Sequence, residues 1–315
     1  MSAPTSLRAR VETYLAYRRH AGFALRSAGQ QLLNFAQFAE QSRHTGPLTL
    51  DLAVRWASAS RQAGPLTAAR RIEVLRPFAR YCQQFEPATE IPPIRFLGAG
   101  HRRLTPHIFT DEEIQALLDA TANLHPAGGL RGVCYRTLFG LFAATGLRLS
   151  EATRLQRSDV DLQSGRLLIR KAKFGKSRWV PLHASTTDAL QCYAHARDCD
   201  PNTAHTNAFF IGDYGRPATP RSVEYAFALL RHDLGWMARG GHPAPRIHDL
   251  RHTFVCRTLQ RWYETGRDIN RNILALSTYV GHAKVTDTYW YVTATPELMA
   301  IAAQRFEQCA VGEKP

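Results

Sequence analysis

Three separated segments of the chain hold residue types that suit the binding of a phosphate and attack on it. In the segment IHDLRHTF, residues 247–254, His248 and Arg251 lie three positions apart near a predicted helix start, so both project from one face. An imidazole and a guanidinium that converge at a helix N-terminus form a phosphate-binding arrangement. We interpret Asp249 as the cap of this helix. Alone the pattern is weak, because a histidine and an arginine three apart are common.

The second segment, ATGLRLSEATRL at residues 144–155, contains Arg148 after a Gly-Leu turn and Glu151 three residues later. An arginine beside a helix start, with a carboxylate one turn on, is suited to hold its guanidinium in place for an anion. On its own, however, the pair is better interpreted as a surface ion pair.

The third segment, GHAKVTDTYWYV at residues 281–292, places His282 before two tyrosines that flank Trp290. Tyr289 and Tyr291 are two positions apart, which on a helix is a rotation of about 200°. Their rings therefore do not face the same site. The segment alone is compatible with core packing of all three aromatics or with one tyrosine acting as a nucleophile.

Lysine is rare in this chain, which has 35 arginines and only 5 lysines. Three of the five, Lys171, Lys173 and Lys176, fall within six residues of a predicted hairpin. A lysine ammonium can release a proton near neutral pH, whereas an arginine guanidinium does not. Since a general acid must donate its proton, lysine is the suitable residue type for that role. The alternative is a basic hairpin that simply binds phosphate.

The net charge of +14 and the isoelectric point near 9.9 favour an anionic partner such as nucleic acid, although an unrelated basic enzyme has the same signature. The distribution is more informative, because residues 1–98 carry 13 arginines, no lysine and 6 acidic residues, a net charge of +7. Four arginines of one predicted helix either form a solvated face or, as we expect, contact the DNA backbone: Arg70, Arg71, Arg76 and Arg80.

Residues 1–92 are predicted to form a helical domain with this basic surface, since no strand alternation stands out. In the helix that carries the four arginines, Thr67 is a plausible N-cap, and Pro77 predicts a kink or a break. The apolar stripe of that helix consists of Leu75, Phe78, Ala79 and Cys82.

Residues 93–108 are predicted to be a linker, because prolines, glycines and paired arginines dominate the composition around them. A second domain, residues 109–315, opens with a capping box in which Thr110 is the N-cap and Glu113 the N3 residue. The following residues are predicted to be helical up to about Leu155.

Residues 159–182 then change to short strands, with turns at Ser164-Gly165 and Phe174-Gly175. The remainder is mostly helical. The predicted fold class is therefore mainly α with a small β-sheet or hairpin, made of a helical N-terminal domain and an α+β second domain. A last short helix is predicted from Thr295 as N-cap, Pro296 at N1, and Leu298, Ile301, Ala302 and Phe306 on one face.

Several protein classes are not expected. Apolar stretches fall short of the roughly 20 residues that a membrane span needs, and no apolar run follows the N-terminal charges, so we expect a soluble, cytoplasmic protein. The six scattered cysteines are expected to be reduced thiols. One cluster could in principle bind zinc: Cys192, His195, Cys199 and His205. Its spacing matches no familiar zinc-finger pattern, and Cys192 and His195 are expected on a helix that starts near Ser185. We therefore expect no metal and no cofactor.

Taken together and in this order, the segments resemble the phage-integrase family of tyrosine recombinases. The family pattern is an arginine in a Thr-Gly-Leu-Arg-x-Ser-Glu context, a lysine in a hairpin turn, His-x-x-Arg, Gly-His, and a tyrosine nine residues after that histidine. The match covers residues 144–292, and the helical first domain and linker resemble the family's Xer-like layout, with a core-binding domain before a catalytic domain. The pattern falls on Arg148, Lys173, His248, Arg251, His282 and Tyr291.

The resemblance implies that Tyr291 attacks a DNA phosphodiester and forms a covalent 3′-phosphotyrosine. Arg148 and Arg251 then bind the non-bridging oxygens and stabilise the charge of the transition state. His248 and His282 add hydrogen bonds, with His248 also a candidate to take the tyrosine proton. The general acid that protonates the departing 5′ oxygen aligns best with Lys173.

The resemblance also implies roles for residues that neighbour these six. Tyr289 departs from the family spacing and is expected to pack or to support the site, while Trp290 is expected in the core. Glu151 is expected to hold Arg148 or its helix. Lys176 is the rival general acid, and both Lys171 and Lys176 are expected to bind DNA.

The expected function is therefore site-specific recombination of double-stranded DNA by an integrase encoded on a mobile element. Members of the family work as tetramers on two duplexes, so we expect a homotetramer whose C-terminal helix docks on a neighbouring protomer, with accessory or partner recombinases possible. Two alternatives remain: a type IB topoisomerase-like enzyme that only relaxes DNA, and a DNA-binding relative without catalysis.

Overall fold

Two compact units make up the chain, Met1–Arg103 and Leu104–Pro315, so their division falls inside the predicted linker 93–108. The computed structural model describes residues 6–59, 64–101, 103–126, 128–170, 177–203 and 205–293, with positions 299, 300, 303 and 307. Within these ranges, no helix has the length and apolar character that crossing a membrane requires.

The described part of the first unit contains four α-helices: α1 (Leu7–His20), α2 (Arg26–Gln41), α3 (Leu50–Ser58) and α4 (Pro65–Gln83). Polar side chains cap the start of two of them, because Ser6 accepts a hydrogen bond from the Ala9 amide and Thr49 accepts one from the Leu52 amide. All four helices contribute to one apolar core, which includes Val11, Phe35, Trp56, Leu75 and Phe78.

Helix α4 differs from its prediction in two ways. It starts at Pro65 with Gly64 as N-cap, so Thr67 lies inside the first turn and is not the cap. Proline is favoured at the first helical position, where an amide N–H would have no partner within the helix. The expected break at Pro77 is also wrong, since the helix is continuous to Gln83. The buried stripe on both sides of Pro77 offsets the cost of about 3 kcal/mol that an internal proline carries.

The second unit is also mainly helical. The capping box at Thr110 and Glu113 is confirmed at the start of its first helix. In the described residues, its α-helices are α5 (Asp111–Ala120), α6 (Leu130–Thr145), α7 (Leu149–Ala152), α8 (Ala184–Asp198), α9 (Pro220–Asp233), α10 (Ile247–Glu264), α11 (Ile269–Val280) and α12 (Thr286–Tyr289).

A three-stranded antiparallel sheet in the order β1-β2-β3 completes this unit and confirms the predicted fold class. Leu167 pairs with Val180, and both side chains are buried, while Trp179 on the alternate face is exposed. This alternation is that of a strand with one buried face. The strands are β1 (Val160–Asp161), β2 (Arg166–Ile169) and β3 (Arg178–Pro181).

Two apolar clusters position the functional segments of the second unit. The larger is built around α6 and includes Leu138, Phe139 and Phe142. The smaller joins α10, α11 and the C-terminal turn, a short 3-10 helix at Trp290–Thr293 that follows α12, and includes Leu259 and Tyr291. The predicted turn at Phe174-Gly175 and the predicted C-terminal helix, with Thr295, Pro296, Leu298, Ile301, Ala302 and Phe306, lie outside the described residues.

Candidate active site

Arg148 is placed by a sharp turn between α6 and α7. Gly146 ends α6 in the left-handed conformation, at φ 61°, and a Cβ there would lie 2.6 Å from the ring of Phe254. Glycine meets both requirements because it has no side chain. Arg148 then becomes the N-cap residue of α7, and its Nη2 donates a hydrogen bond of 2.6 Å to the carbonyl of Gly281.

The Glu151 carboxylate lies between two guanidinium groups. Its side chain is only 5% exposed, and it accepts a 2.9 Å hydrogen bond from Arg148 Nη1. Arg178 of β3 donates to both carboxylate oxygens, at 3.1 and 2.9 Å. The interpretation of Arg148 and Glu151 as a surface ion pair is therefore wrong. Sequence reasoning missed Arg178, since no local spacing relates β3 to the start of α7.

Glu151 stays ionised despite its burial. Burial by itself raises the pKa of this carboxyl, but the hydrogen bonds and charge of Arg178, followed by those of Arg148, bring the pKa below its usual value. The hydrogen bond between Glu151 and Arg148 supports the expected role of Glu151 in holding Arg148 in place.

Arg251 lies nearby on α10 and is 2% exposed. Its Nη1 donates to the Gly146 carbonyl at 2.6 Å, and its Nη2 donates to the Val280 carbonyl at 2.7 Å. Burial, and then the charge of Arg148, lowers the pKa of Arg251 to about 10, so the guanidinium is still cationic at neutral pH. Arg251 also lies within electrostatic range of Tyr291.

The C-terminal end of α11 collects all three guanidinium groups. Arg178 Nε donates to the Tyr279 carbonyl at 2.8 Å, next to the carbonyls that Arg148 and Arg251 use. The last carbonyls of a helix have no partner within it and carry partial negative charge, which favours cations. Gly281, at φ 73°, lets the chain turn here, and a Cβ at this position would meet the Arg178 guanidinium at 2.6 Å.

The start of α10 is stabilised by Asp249, but not from the predicted position. Arg246 is the N-cap residue, and the fully buried Asp249 at N3 accepts a 2.8 Å hydrogen bond from the Arg246 amide. A carboxylate at N3 satisfies an amide of the helix start as an N-cap side chain does. His248, one residue earlier, is exposed.

Tyr291 and Tyr289 lie in different environments, as the rotation between them predicts. Tyr291 is 3% exposed, its hydroxyl oxygen lies 2.7 Å from His252 Nδ1, and its ring stacks parallel to His282 at 6.1 Å. Tyr289 is 40% exposed and donates its hydroxyl to Asn270 Oδ1 at 3.2 Å. Tyr289 is therefore not a core residue.

Two other aromatic neighbours complete this corner of the site. Trp290 is half-buried and packs against the same small cluster as Tyr291, so it borders the core instead of lying within it. His252 packs edge-on against His248, with ring centroids 4.7 Å apart. Sequence reasoning singled out His248 and Arg251 and missed His252, although it directly follows Arg251.

Two half-buried imidazoles beside Tyr291 are held in the neutral form. Burial, and then the charge of Arg251, lowers the pKa of His282 to about 3. Burial, and then His248, lowers the pKa of His252 to about 2. His282 Nδ1 also lies 2.7 Å from Thr288 Oγ1, which fixes the ring. Uncharged imidazoles add hydrogen-bonding groups to a site that already holds three guanidinium cations.

The remaining predicted site residues fall into two groups. Lys171, Lys173 and Lys176 lie outside the described residues. The four arginines of α4 lie in the first unit, where Arg70 and Arg80 are exposed. Three of the four donate to backbone carbonyls of that unit: Arg70 to Gly100, Arg71 to Trp56 and Ala57, and Arg76 to Pro92.

The cysteine and histidine cluster weighed as a zinc site is spread over α8 and the segment after this helix. Cys192 and His195 lie on α8, which starts at Ala184 as predicted, and Cys199 Sγ is 3.9 Å from His195 Nε2. Among the residues that the structure describes, no three His, Cys, Asp or Glu side chains are grouped so that they would hold a metal ion.

A family model for phage integrases matches residues 107–297, which is more than half of the sequence. The chain belongs to the phage integrase family. A putative integrase/recombinase, y4rB of Sinorhizobium fredii, is 38% identical over 309 residues, covering 96% of this chain and 98% of the relative. The tyrosine recombinase XerC of Chlamydia caviae is 30% identical over 236 residues, covering 74% of this chain and 69% of the relative.

Solved structures of integrases and recombinases share the fold. The Tn1549 transposon integrase in complex with transposon right end DNA aligns at a TM-score of 0.66 and 17% identity, covering 96% of this chain and all of the other. XerH bound to its difH substrate aligns at 0.63 and 17% identity, covering 90% and 81%. Membership of the phage integrase family confirms the prediction of a tyrosine recombinase, an enzyme that breaks and rejoins DNA strands.

Because Glu151 pairs with two arginines, its replacement by the neutral isostere glutamine should lower the stability of the protein. Glu151→Gln keeps the side-chain volume but leaves Arg148 and Arg178 without a buried counter-charge, so the free energy of unfolding should fall by about 3 kcal/mol. Urea unfolding followed by fluorescence measures the difference. The matched control is Asp119→Asn, whose exposed pair with Arg136 should change stability by less than about 1 kcal/mol. Equal losses in both variants would contradict the prediction.

The lowered pKa of His282 predicts acid sensitivity with a defined sign. Since the unfolded chain binds a proton near pH 6.5 and the folded site does so only near pH 3, stability falls as the pH drops below about 6.5. His282→Asn retains a group for Thr288 but does not titrate. Between pH 7.5 and pH 5, the free energy of unfolding of the variant should therefore fall by about 2 kcal/mol less than that of the wild type. Chemical denaturation across this pH range is the measurement, and parallel curves would refute the assignment.

Proposed function

We propose that the protein is a site-specific DNA recombinase that cleaves and rejoins DNA through a covalent 3′-phosphotyrosine at Tyr291. The observation that carries this proposal is the position of the tyrosine hydroxyl. It lies in a buried site beside a hydrogen-bonded imidazole and within range of the Arg251 guanidinium. Tyr289, in contrast, is exposed and engaged with Asn270.

The guanidinium groups supply what an anionic phosphodiester needs for attack. Arg148, with its side chain 24% exposed, retains access to a ligand while Glu151 holds it in place. In the proposed mechanism, Arg148 and Arg251 bind the non-bridging oxygens and stabilise the added charge of the pentacoordinate transition state. The exposed His248 and the stacked His282 donate hydrogen bonds to the same phosphate.

The reaction then proceeds in two reversible steps. Tyr291 forms a bond to phosphorus as the bond to the 5′ oxygen breaks, and Lys173 gives that oxygen its proton. A 5′ hydroxyl from a second duplex later attacks the phosphotyrosine, which releases Tyr291 and joins the new strands. Because the phosphotyrosine conserves the energy of the phosphodiester bond, the proposed reaction needs no ATP. The guanidinium groups supply the positive charge that a metal ion would otherwise provide.

Double-stranded DNA is the proposed partner, supported by the basic first unit and by relatives solved with DNA. In that unit, 1–92 is the proposed core-binding domain, followed by the linker 93–108 and the catalytic domain 109–315. Among the α4 arginines, the exposed Arg80 is best placed for a phosphate, because the others donate to carbonyls of their own unit.

A homotetramer on two duplexes, with its C-terminal helix docked on a neighbour, is part of the same proposal. The similarity to y4rB over nearly the whole chain, and to a transposon integrase in fold, supports an integrase that a mobile element encodes.

Covalent trapping tests the nucleophile. A binding site is first selected from a random duplex library, and a nicked suicide version of it is incubated with wild type, Tyr291→Phe and Tyr289→Phe. We expect a denaturation-resistant adduct with the wild type and Tyr289→Phe and none with Tyr291→Phe, because only the Tyr291 hydroxyl faces the basic site.

Two other results have defined meanings. Loss of the adduct in Tyr289→Phe instead would move the nucleophile to that residue. A wild type that binds the site without forming any adduct would make the protein a DNA-binding relative without catalysis, and relaxation of supercoiled DNA without strand exchange would make it a topoisomerase.

A further inference from the structure

The imidazole in contact with the proposed nucleophile is not the one that the family pattern selects. His252 directly follows Arg251 on α10, and its Nδ1 lies 2.7 Å from the Tyr291 hydroxyl oxygen. This distance is that of a strong O–H···N hydrogen bond, within the reach that a general base requires. The two rings are 5.3 Å apart and tilted by 45°.

The other two histidines of the site are engaged differently. His248 is exposed as a residue, but burial of its imidazole, followed by the charge of Arg251, lowers its pKa to about 4. Its ring packs edge-on against His252 at a centroid distance of 4.7 Å. His282 stacks its ring face on Tyr291, and its Nδ1 pairs with Thr288 Oγ1. The geometry thus places the His252 imidazole against the hydroxyl, whereas the contacts described for the other two run from His248 to His252 and from His282 Nδ1 to Thr288.

We propose that His252, and not His248, is the general base that removes the proton from Tyr291, an inference that rests on the proposed function. As Tyr291 Oη bonds to phosphorus, the Oη–H bond breaks and an Nδ1–H bond forms on His252. The P–O5′ bond breaks at the same time, and the 5′ oxygen takes its proton from Lys173. In the second step the attacking 5′ hydroxyl gives its proton back to the neutral Lys173 amine, and the imidazolium returns its proton to Tyr291 as the tyrosine leaves.

The surroundings of His252 make this transfer depend on DNA. Its imidazole is neutral, and in the tautomer that carries the proton on Nε2 the Nδ1 lone pair accepts the Tyr291 hydrogen bond. Burial, followed by His248 and the charges of Arg246 and Arg251, opposes formation of an imidazolium. A phosphodiester bound beside it brings negative charge, which favours the imidazolium and hence the transfer. The hydroxyl of Tyr291 should therefore keep its proton until a phosphate is bound. The titratable or charged groups around His252 are Arg246, His248 and Arg251 of the α10 region, His242 before it, and Tyr291. Around the neighbouring His282 they also include Arg148 of α7 and Asp287 of α12.

Chemical rescue tests the proposal. With the suicide duplex that traps the wild type, His252→Gly should bind with unchanged affinity but form the adduct about 10²- to 10⁴-fold more slowly in single turnover. Added imidazole should restore at least a tenfold gain in His252→Gly, and the unrescued rate should rise tenfold per pH unit between pH 6 and 9 because hydroxide must remove the proton. His248→Gly is the matched control: added imidazole should not raise its rate, and its rate should not rise tenfold per pH unit.

A second substrate separates the base from the acid. A 5′-bridging phosphorothiolate has a sulfur leaving group that needs no proton, so it should restore adduct formation to Lys173→Ala and not to His252→Gly. Should His252→Gly fail to fold, His252→Gln takes its place, because its amide oxygen can accept the tyrosine hydrogen bond but does not act as a base. We expect His252→Gln to fold normally and to remain slow.

Three results would overturn the proposal: a wild-type rate and pH profile in His252→Gly, imidazole rescue confined to His248→Gly, or a wild-type rate in His252→Gln, which would reduce the residue to a positioning role. Failure of the proposed function itself looks different, because the wild type would then form no adduct on either substrate.

Discussion

Three guanidinium groups meet at the C-terminal end of one helix, and this concentration of like charge is the constraint on which the rest of the site depends. Arg148, Arg178 and Arg251 donate to carbonyls at positions 279–281, where the partial negative charge of α11 favours cations. One buried carboxylate, Glu151, balances two of them. The site therefore keeps net positive charge before any ligand arrives, as an anion-binding pocket assembled in advance requires.

The neighbouring features follow from that concentration of charge. Gly146 and Gly281 adopt left-handed conformations where a Cβ would collide with Phe254 and with the Arg178 guanidinium, so the close approach of three arginines depends on them. Burial, reinforced by the neighbouring cations, keeps His252 and His282 neutral. Neutral imidazoles leave nitrogen lone pairs beside Tyr291, which ties the electrostatics of the arginine cluster to the proposed proton transfer.

Local spacing predicted the parts of this site that lie close in sequence, and it failed for contacts between distant segments. The helix start at Thr110, the strands of 159–182 and the opposite orientations of Tyr289 and Tyr291 all follow from short-range rules of capping and periodicity. The bond from Arg178 to Glu151 joins β3 to α7, and that from His252 to Tyr291 joins α10 to the C-terminal turn. Only the tertiary fold creates such contacts, so an isolated Arg148–Glu151 spacing was misread as a surface pair.

The most direct test of the account is cleavage of a duplex whose scissile phosphate is replaced by a neutral methylphosphonate. Arg148→Ala is the informative variant, since Arg148 is partly exposed and Glu151 retains Arg178 in its absence. If the guanidinium neutralises phosphate charge, this variant should form adduct at least about 10²-fold more slowly than wild type on the phosphodiester. Most of that deficit should disappear on the methylphosphonate, while Tyr291→Phe is inactive on both. An equal deficit on both substrates would contradict the account.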